Sequence, residues 1–152
     1  MNEDLIIAYT AGFFDGEGSI SIIARNRDDW STEHRLWVSI GQKDGATLDW
    51  LKDNFGGSIY LVKRDGSFYW AVSNKNAYNF LKRIIDFLQY KKPQAEVALK
   101  LYEECPPQKR PIPKEEVLRR EGLRQQLKDM KKFVIKSQYV GSESKRIDPK
   151  GM

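Results

Sequence analysis

The sequence predicts an α+β fold: one four-stranded antiparallel sheet with helices on one face, in the order αββαββα, followed by further C-terminal helices. Three observations predict it. Two pairs of alternating, strand-like stretches are each followed by a stretch of helical period. Glycine and proline punctuate the boundaries between them. The chain has 152 residues, 40% of them hydrophobic and 31% charged, which suits one domain with a core of ordinary size and is too apolar for a disordered chain.

The elements follow in order. Leu5, Ile6, Ala8, Tyr9, Gly12 and Phe13 recur at three- and four-residue spacings, giving a short helix with Asn2 or Asp4 as its cap. Asp15-Gly16-Glu17-Gly18 should end it, because glycine lets the backbone leave the helix. Ile20, Ile22 and Ala24 then alternate with Ser21, Ile23, Arg25 and Arg27, and Leu36, Val38 and Ile40 alternate with Glu33, Arg35, Trp37 and Ser39, a first hairpin. Leu48, Leu51 and Phe55 mark a second helix closed by Gly56-Gly57. Ile59 and Leu61 alternate with Tyr60, Val62 and Arg64. After the turn signal Asp65-Gly66, Phe68, Trp70 and Val72 alternate with Ser67, Tyr69, Ala71 and Ser73, a second hairpin. A third helix is expected from about Lys75 to Leu88, and another after Pro93 as far as Cys105. Residues 1–105 are thus expected to form the core domain. Residues 106–152 should hold a proline-rich connection, a charged helix from Glu115 to about Lys132, and a basic tail.

Composition narrows the chemistry. One cysteine, Cys105, excludes an internal disulfide framework and a Cys-rich zinc module, and one histidine, His34, excludes chemistry that needs several. No apolar run approaches the roughly 18–20 residues that span a bilayer. A soluble, intracellular protein with no membrane partner is expected, in a prokaryotic cytoplasm or an organelle. From Lys114 onward eleven Lys/Arg face six Asp/Glu, which accounts for the entire net charge of +5. A basic end on a neutral body fits a grip on a polyanion, nucleic acid first, and fits equally a solvated charged helix with a loose tail.

Two features bear on function. The sheet face that carries Ser21, Arg25, Arg27, Arg35, Trp37, Ser39, Tyr60, Arg64, Ser67 and Tyr69 is polar, basic and aromatic. Such a face either lies in solvent or reads base pairs from a major groove. The second feature is the first helix and its end. Ala8, Gly12 and Gly16 sit four apart, leaving one side almost without side chains, and Glu17 follows between two glycines. A carboxylate beside backbone carbonyls suits a hard divalent cation such as Mg2+, although such a segment taken alone is more often a plain helix-terminating turn. An EF-hand does not fit, because the twelfth position from Asp15 is Asn26, and there is no P-loop.

Residues 10–18 resemble the LAGLIDADG motif of the homing endonucleases, and the αββαββα order is similar to that family's fold. Ala11, Gly12, Asp15 and Gly18 match the motif. Thr10 stands for Leu, Phe13 and Phe14 for Leu-Ile, Gly16 for Ala, and Glu17 for the second Asp. The resemblance implies a magnesium-dependent enzyme, with manganese as a substitute metal, that makes double-strand breaks in a long, near-palindromic DNA site and is encoded by a mobile intron. It implies Glu17 and the Gly16 carbonyl as metal ligands, and Glu17, Gln42 and Lys91 as catalytic residues, with Lys92 an alternative to Lys91. It also implies a structural role for Asp15, capping the partner's helix.

One motif copy implies a homodimer, with Ala8, Ala11, Gly12, Asp15 and Gly16 in the interface. The DNA-contacting set would be Ser21, Ile23, Arg25, Arg27, Glu33, Arg35, Trp37, Ser39, Tyr60, Val62, Arg64, Ser67, Tyr69, Ala71 and Ser73 on the sheet, with Lys132 and Lys136 beyond it. The alternative on the same fold is an intron RNA maturase or a DNA-binding regulator without cleavage.

Overall fold

The computed structural model describes residues 2–26, 32–105 and 111–132. In chain order the elements are α1 (Glu3–Glu17), β1 (Gly18–Asn26), β2 (Thr32–Gln42), α2 (Ala46–Phe55), β3 (Ser58–Val62), β4 (Ser67–Ser73), α3 (Asn74–Ile84), α4 (Lys92–Glu103) and α5 (Lys114–Lys132). The four strands form one antiparallel sheet in the order β1-β2-β4-β3. Among the described residues no helix is long and apolar enough to cross a membrane.

Strand alternation builds the core as expected. Ile20, Ile22, Leu36, Val38, Ile40, Trp70 and Val72 are buried on the inward face. Against them pack Phe14 of α1, Phe80 and Leu81 of α3, and Ala98 and Leu101 of α4. Phe80 is the hub of the aromatic packing. Phe14, Phe55 and Trp70 meet it edge to face, with ring centroids 5.7, 5.2 and 5.0 Å away. Trp70 is fully buried, yet its indole N–H is satisfied by the carbonyl of Gly56 at 2.8 Å. That contact explains the second glycine of the pair. Gly57 has φ +93°, and a Cβ there would lie 2.7 Å from Trp70 Nε1 and 2.8 Å from the Ala71 carbonyl.

Asn2 caps α1, its side-chain oxygen accepting the Asp4 N–H at 2.8 Å. The helix ends inside Asp15-Gly16-Glu17-Gly18 as expected, with Glu17 its last residue, and passes directly into β1. Gly18 is needed there for space rather than for φ. Its backbone is extended, and a Cβ would overlap the ring of Phe14. Thr10, Ala11 and Phe14 form the buried side of α1, whereas Leu5 and Tyr9 are 60% and 54% exposed. The helix therefore has two apolar sides, the second only partly covered by its own chain, where Tyr9 meets Trp50 of α2 edge to face at 5.2 Å.

One helix boundary and the exposure of one strand residue differ from expectation. The third helix ends at Ile84 and is followed by a single tighter turn over Ile85–Phe87, so Leu88 reaches the core from an extended residue. Leu61, expected inward beside Ile59, is 55% exposed because it lies near the hairpin end of the edge strand, beyond the helical cover. The charged helix α5 folds back on the core. Leu127 is buried in the same apolar cluster, and the buried His34 on β2 meets Glu121 at 2.8 Å, with Arg124 donating to the same carboxylate.

Candidate active site and nucleic-acid interface

Glu17 is the last residue of α1, and its side chain is exposed. The final carbonyls of a helix have no partner within it, and the helix dipole makes this end electronegative. Gly16 contributes one of those carbonyls. A carboxylate, free backbone carbonyls and solvent make a donor set that fits a hard, partly hydrated divalent cation.

Two lysines are brought to this point from distant elements. The carboxylate of Asp15 accepts the N–H groups of Gln89 at 2.8 Å and Lys91 at 2.9 Å, fixing the turn that precedes α4. Lys91 reaches back, its Nζ donating to the Asp15 carbonyl at 2.6 Å. Partial burial holds the Lys91 ammonium below the ordinary lysine range, and the charges of Asp15 and Glu17 oppose that shift. Glu17 and Lys91 thus share one electrostatic neighbourhood. Lys131, in the last turn of α5, donates to Ser21 Oγ at 3.0 Å. Its ammonium is also held low, first by desolvation and then by the positive charge of Lys91.

Lys131 is not among the residues expected at the site. It lies four residues after the buried Leu127, one helical turn along the stripe that faces the core, and that spacing is its signal in the sequence. Gln42 ends β2 two residues past the Gly18–Ile40 pair, so it sits at the same end of the sheet as Glu17. It is half-buried, and no hydrogen bond joins it to Glu17 or Lys91 among the described residues.

The residues expected at a self-association surface divide in two. Gly12 and Gly16 are exposed, Ala8 is partly exposed, and a Cβ added to either glycine would meet nothing within 4 Å. Ala11, by contrast, is fully buried in its own protomer's core, which removes it from any surface. The Asp15 carboxylate, expected to cap a partner's helix, is engaged by backbone N–H groups of its own chain.

On the outward face of the sheet, Ile23, Arg25, Arg35 and Tyr60 are exposed, and Ser21, Glu33, Trp37, Ser39, Val62, Ser67, Tyr69 and Ser73 are half-buried. Arg64 lies exposed in the β3–β4 turn rather than on a strand, and Lys132 is exposed at the end of α5. The Ser67 hydroxyl is committed locally, donating to Asp65 at 2.6 Å across that turn. Ala71 is only 4% exposed and has almost no surface to offer a ligand. Arg27 and Lys136 lie outside the described residues. The guanidinium of Arg35 is preset: it lies 5.4 Å from the Trp37 ring centroid and donates to Ser73 Oγ at 3.2 Å.

Comparison with known proteins bears on the family and the fold. Residues 10–98 match the LAGLIDADG endonuclease family. The chain is similar to the DNA endonuclease I-CreI of Chlamydomonas reinhardtii, 31% identical over 109 residues that cover 69% of this chain and 66% of that protein. It is also similar to the intron-encoded RNA maturase bI4 of Saccharomyces cerevisiae, 30% identical over 73 residues covering 47% of this chain and 11% of that protein. The chain thus spans just under two thirds of the first relative's length and a small part of the second's. The homing endonuclease I-CvuI, solved in complex with the I-CreI target in the presence of 2 mM Mg, shares the fold with a TM-score of 0.76. Its identity is 20%, covering 89% of this chain and 87% of that one. The chain is a member of the LAGLIDADG endonuclease family.

Proposed function

We propose that this protein is a homing endonuclease that works as a homodimer, cutting both strands of a long, near-palindromic DNA site by magnesium-assisted phosphodiester hydrolysis. Manganese would serve as a substitute metal, and a mobile intron is the expected source of its gene. The observation that carries the reading is the double tie of Lys91 to Asp15, two residues before Glu17 at the end of α1, with Lys131 bound to Ser21 on the strand that follows and the glycine side of the helix open.

Each group has a task there. The Glu17 carboxylate and the Gly16 carbonyl would hold the cation, which supplies Lewis-acid activation of the phosphate and a more acidic bound water. Lys91, held in place by Asp15, offsets negative charge on the phosphate and the departing oxygen. Gln42, at the same end of the sheet, orients the attacking water. Lys131 and Lys132 contact backbone phosphates, while the outward sheet residues read base edges.

One carboxylate set addresses one strand. A double-strand cut therefore needs two protomers, and the open Gly12–Gly16 side of α1 lets two such helices approach closely.

The test is a cleavage selection from randomised duplexes with Mg2+, using Ca2+ as a binding control, followed by Glu17→Gln. Loss of cutting with binding retained supports the reading, and full activity of the variant contradicts it. The similarity to an RNA maturase favours one second reading: stimulated intron splicing with no duplex selected would establish that instead.

A further inference from the structure

The outward face of the sheet carries an aromatic cluster that its polar neighbours do not explain. Tyr60 and Tyr69 sit directly opposite each other on β3 and β4 and stack, with centroids 4.8 Å apart and planes 20° from parallel. From the other side of β4, Trp37 brings its ring within 6.4 Å of Tyr60. Ala71, on the strand between them, is 4% exposed for that reason. Tyr60 itself stays 41% exposed. The surrounding outward positions include Ser21, Arg25, Arg35, Ser39 and Ser73, with Ile23 and Val62 as separate aliphatic residues, so the three rings form an aromatic patch in a face of mainly polar and basic side chains.

A major groove offers many polar atoms at its base edges but one kind of apolar group, the 5-methyl of thymine. We propose that Trp37 and Tyr60, with Tyr69 behind them, form an apolar contact for a thymine methyl at one fixed position in each half of the DNA site. This inference rests on the reading of the protein as a duplex-DNA enzyme. Arg35, held over the same indole and by Ser73, sets a donor fork beside that contact, so apolar and polar readout fall side by side. The stacked rings lose little conformational freedom on binding, because they are already packed against one another.

The experiment uses the full chain and a duplex it selects from a randomised pool in Ca2+. That duplex is resynthesised with deoxyuridine replacing each thymidine in turn, which removes the methyl and nothing else. At one thymidine per half-site the affinity should fall roughly 3- to 10-fold. Tyr60→Ser and Trp37→Gln should bind the two versions alike at that position. Tyr60→Ser lies on an exposed edge strand and decides the matter alone if Trp37→Gln does not fold. A selected duplex indifferent to every methyl removal, or a methyl effect that persists in the variants, overturns the inference while leaving the enzymatic reading intact. Failure to select any duplex removes both.

Discussion

Asp15 and Lys91 are tied together twice: the aspartate carboxylate accepts the lysine's backbone N–H at 2.9 Å, and the lysine ammonium donates to the aspartate's carbonyl at 2.6 Å. The end of α1 and the start of α4 are thereby locked at the point where Glu17 stands. Asp15→Asn keeps only one strong acceptor for two N–H groups. It should cost about 1–2 kcal/mol of stability. A larger effect is expected on the cleavage rate, on the order of 10²-fold, since Lys91 loses its fixed position. Urea unfolding and single-turnover cleavage, measured together, check both halves.

The glycines of α1 should respond in opposite ways. Gly18→Ala forces a methyl into the Phe14 ring and should destabilise the protomer by about 1–3 kcal/mol. Gly12→Ala meets open space and should gain about 0.5–1 kcal/mol from helix propensity in the isolated protomer. It should nevertheless weaken self-association. Denaturation and sedimentation equilibrium of the two variants separate space inside the chain from space between chains.

Lys131 should behave as a phosphate-binding cation placed by α5. Lys131→Gln keeps a polar side chain at this position but removes the charge and, one bond shorter, draws back from Ser21 Oγ. Duplex affinity should fall, and the slope of log K against log salt should become shallower by about 0.9 for each phosphate that is no longer neutralised. Titrations at several salt concentrations read this directly, and an unchanged slope would exclude Lys131 from the phosphate backbone.

The docking of α5 should depend on pH in one direction. The Glu121 carboxylate is held below its ordinary value of 4.5, chiefly by the hydrogen bond with His34 and then by Arg124. A depressed carboxylate contributes stability that is present in full above its unfolded value and is lost as pH falls through the folded one. Protection of the α5 amides, taken relative to the intrinsic exchange rate at each pH, should therefore be highest near neutrality and fall in acid below 4.5, with Glu121→Gln flattening that dependence.

How much of this is legible in the sequence differs residue by residue. Alternation assigns both faces of β1, β2 and β4, because each strand packs one side on the core, and Asp65-Gly66 marks its hairpin correctly. The same rule fails for Leu61, since period two says nothing about where the helical cover ends. It also overstates Ala71, which shares the outward face but lies under two larger rings. Gly18 has the look of a turn residue, yet its constraint is a ring from the preceding helical turn. At the site, the acidic end of α1 and Lys91 stand out through motif resemblance. Lys131 carries only the weaker signal of its four-residue spacing from Leu127, and the docked α5 is what brings it to Ser21 on β1.

Pairing of two α1 helices is the central claim, and a Gly12→Cys chain bound to its selected duplex tests it most directly. Helices packed at about 8–10 Å between axes bring these positions within disulfide reach. Mild oxidation should then yield a cross-linked dimer that still holds DNA. A complex with one protomer per duplex, or two protomers that never cross-link through that cysteine, would contradict the account.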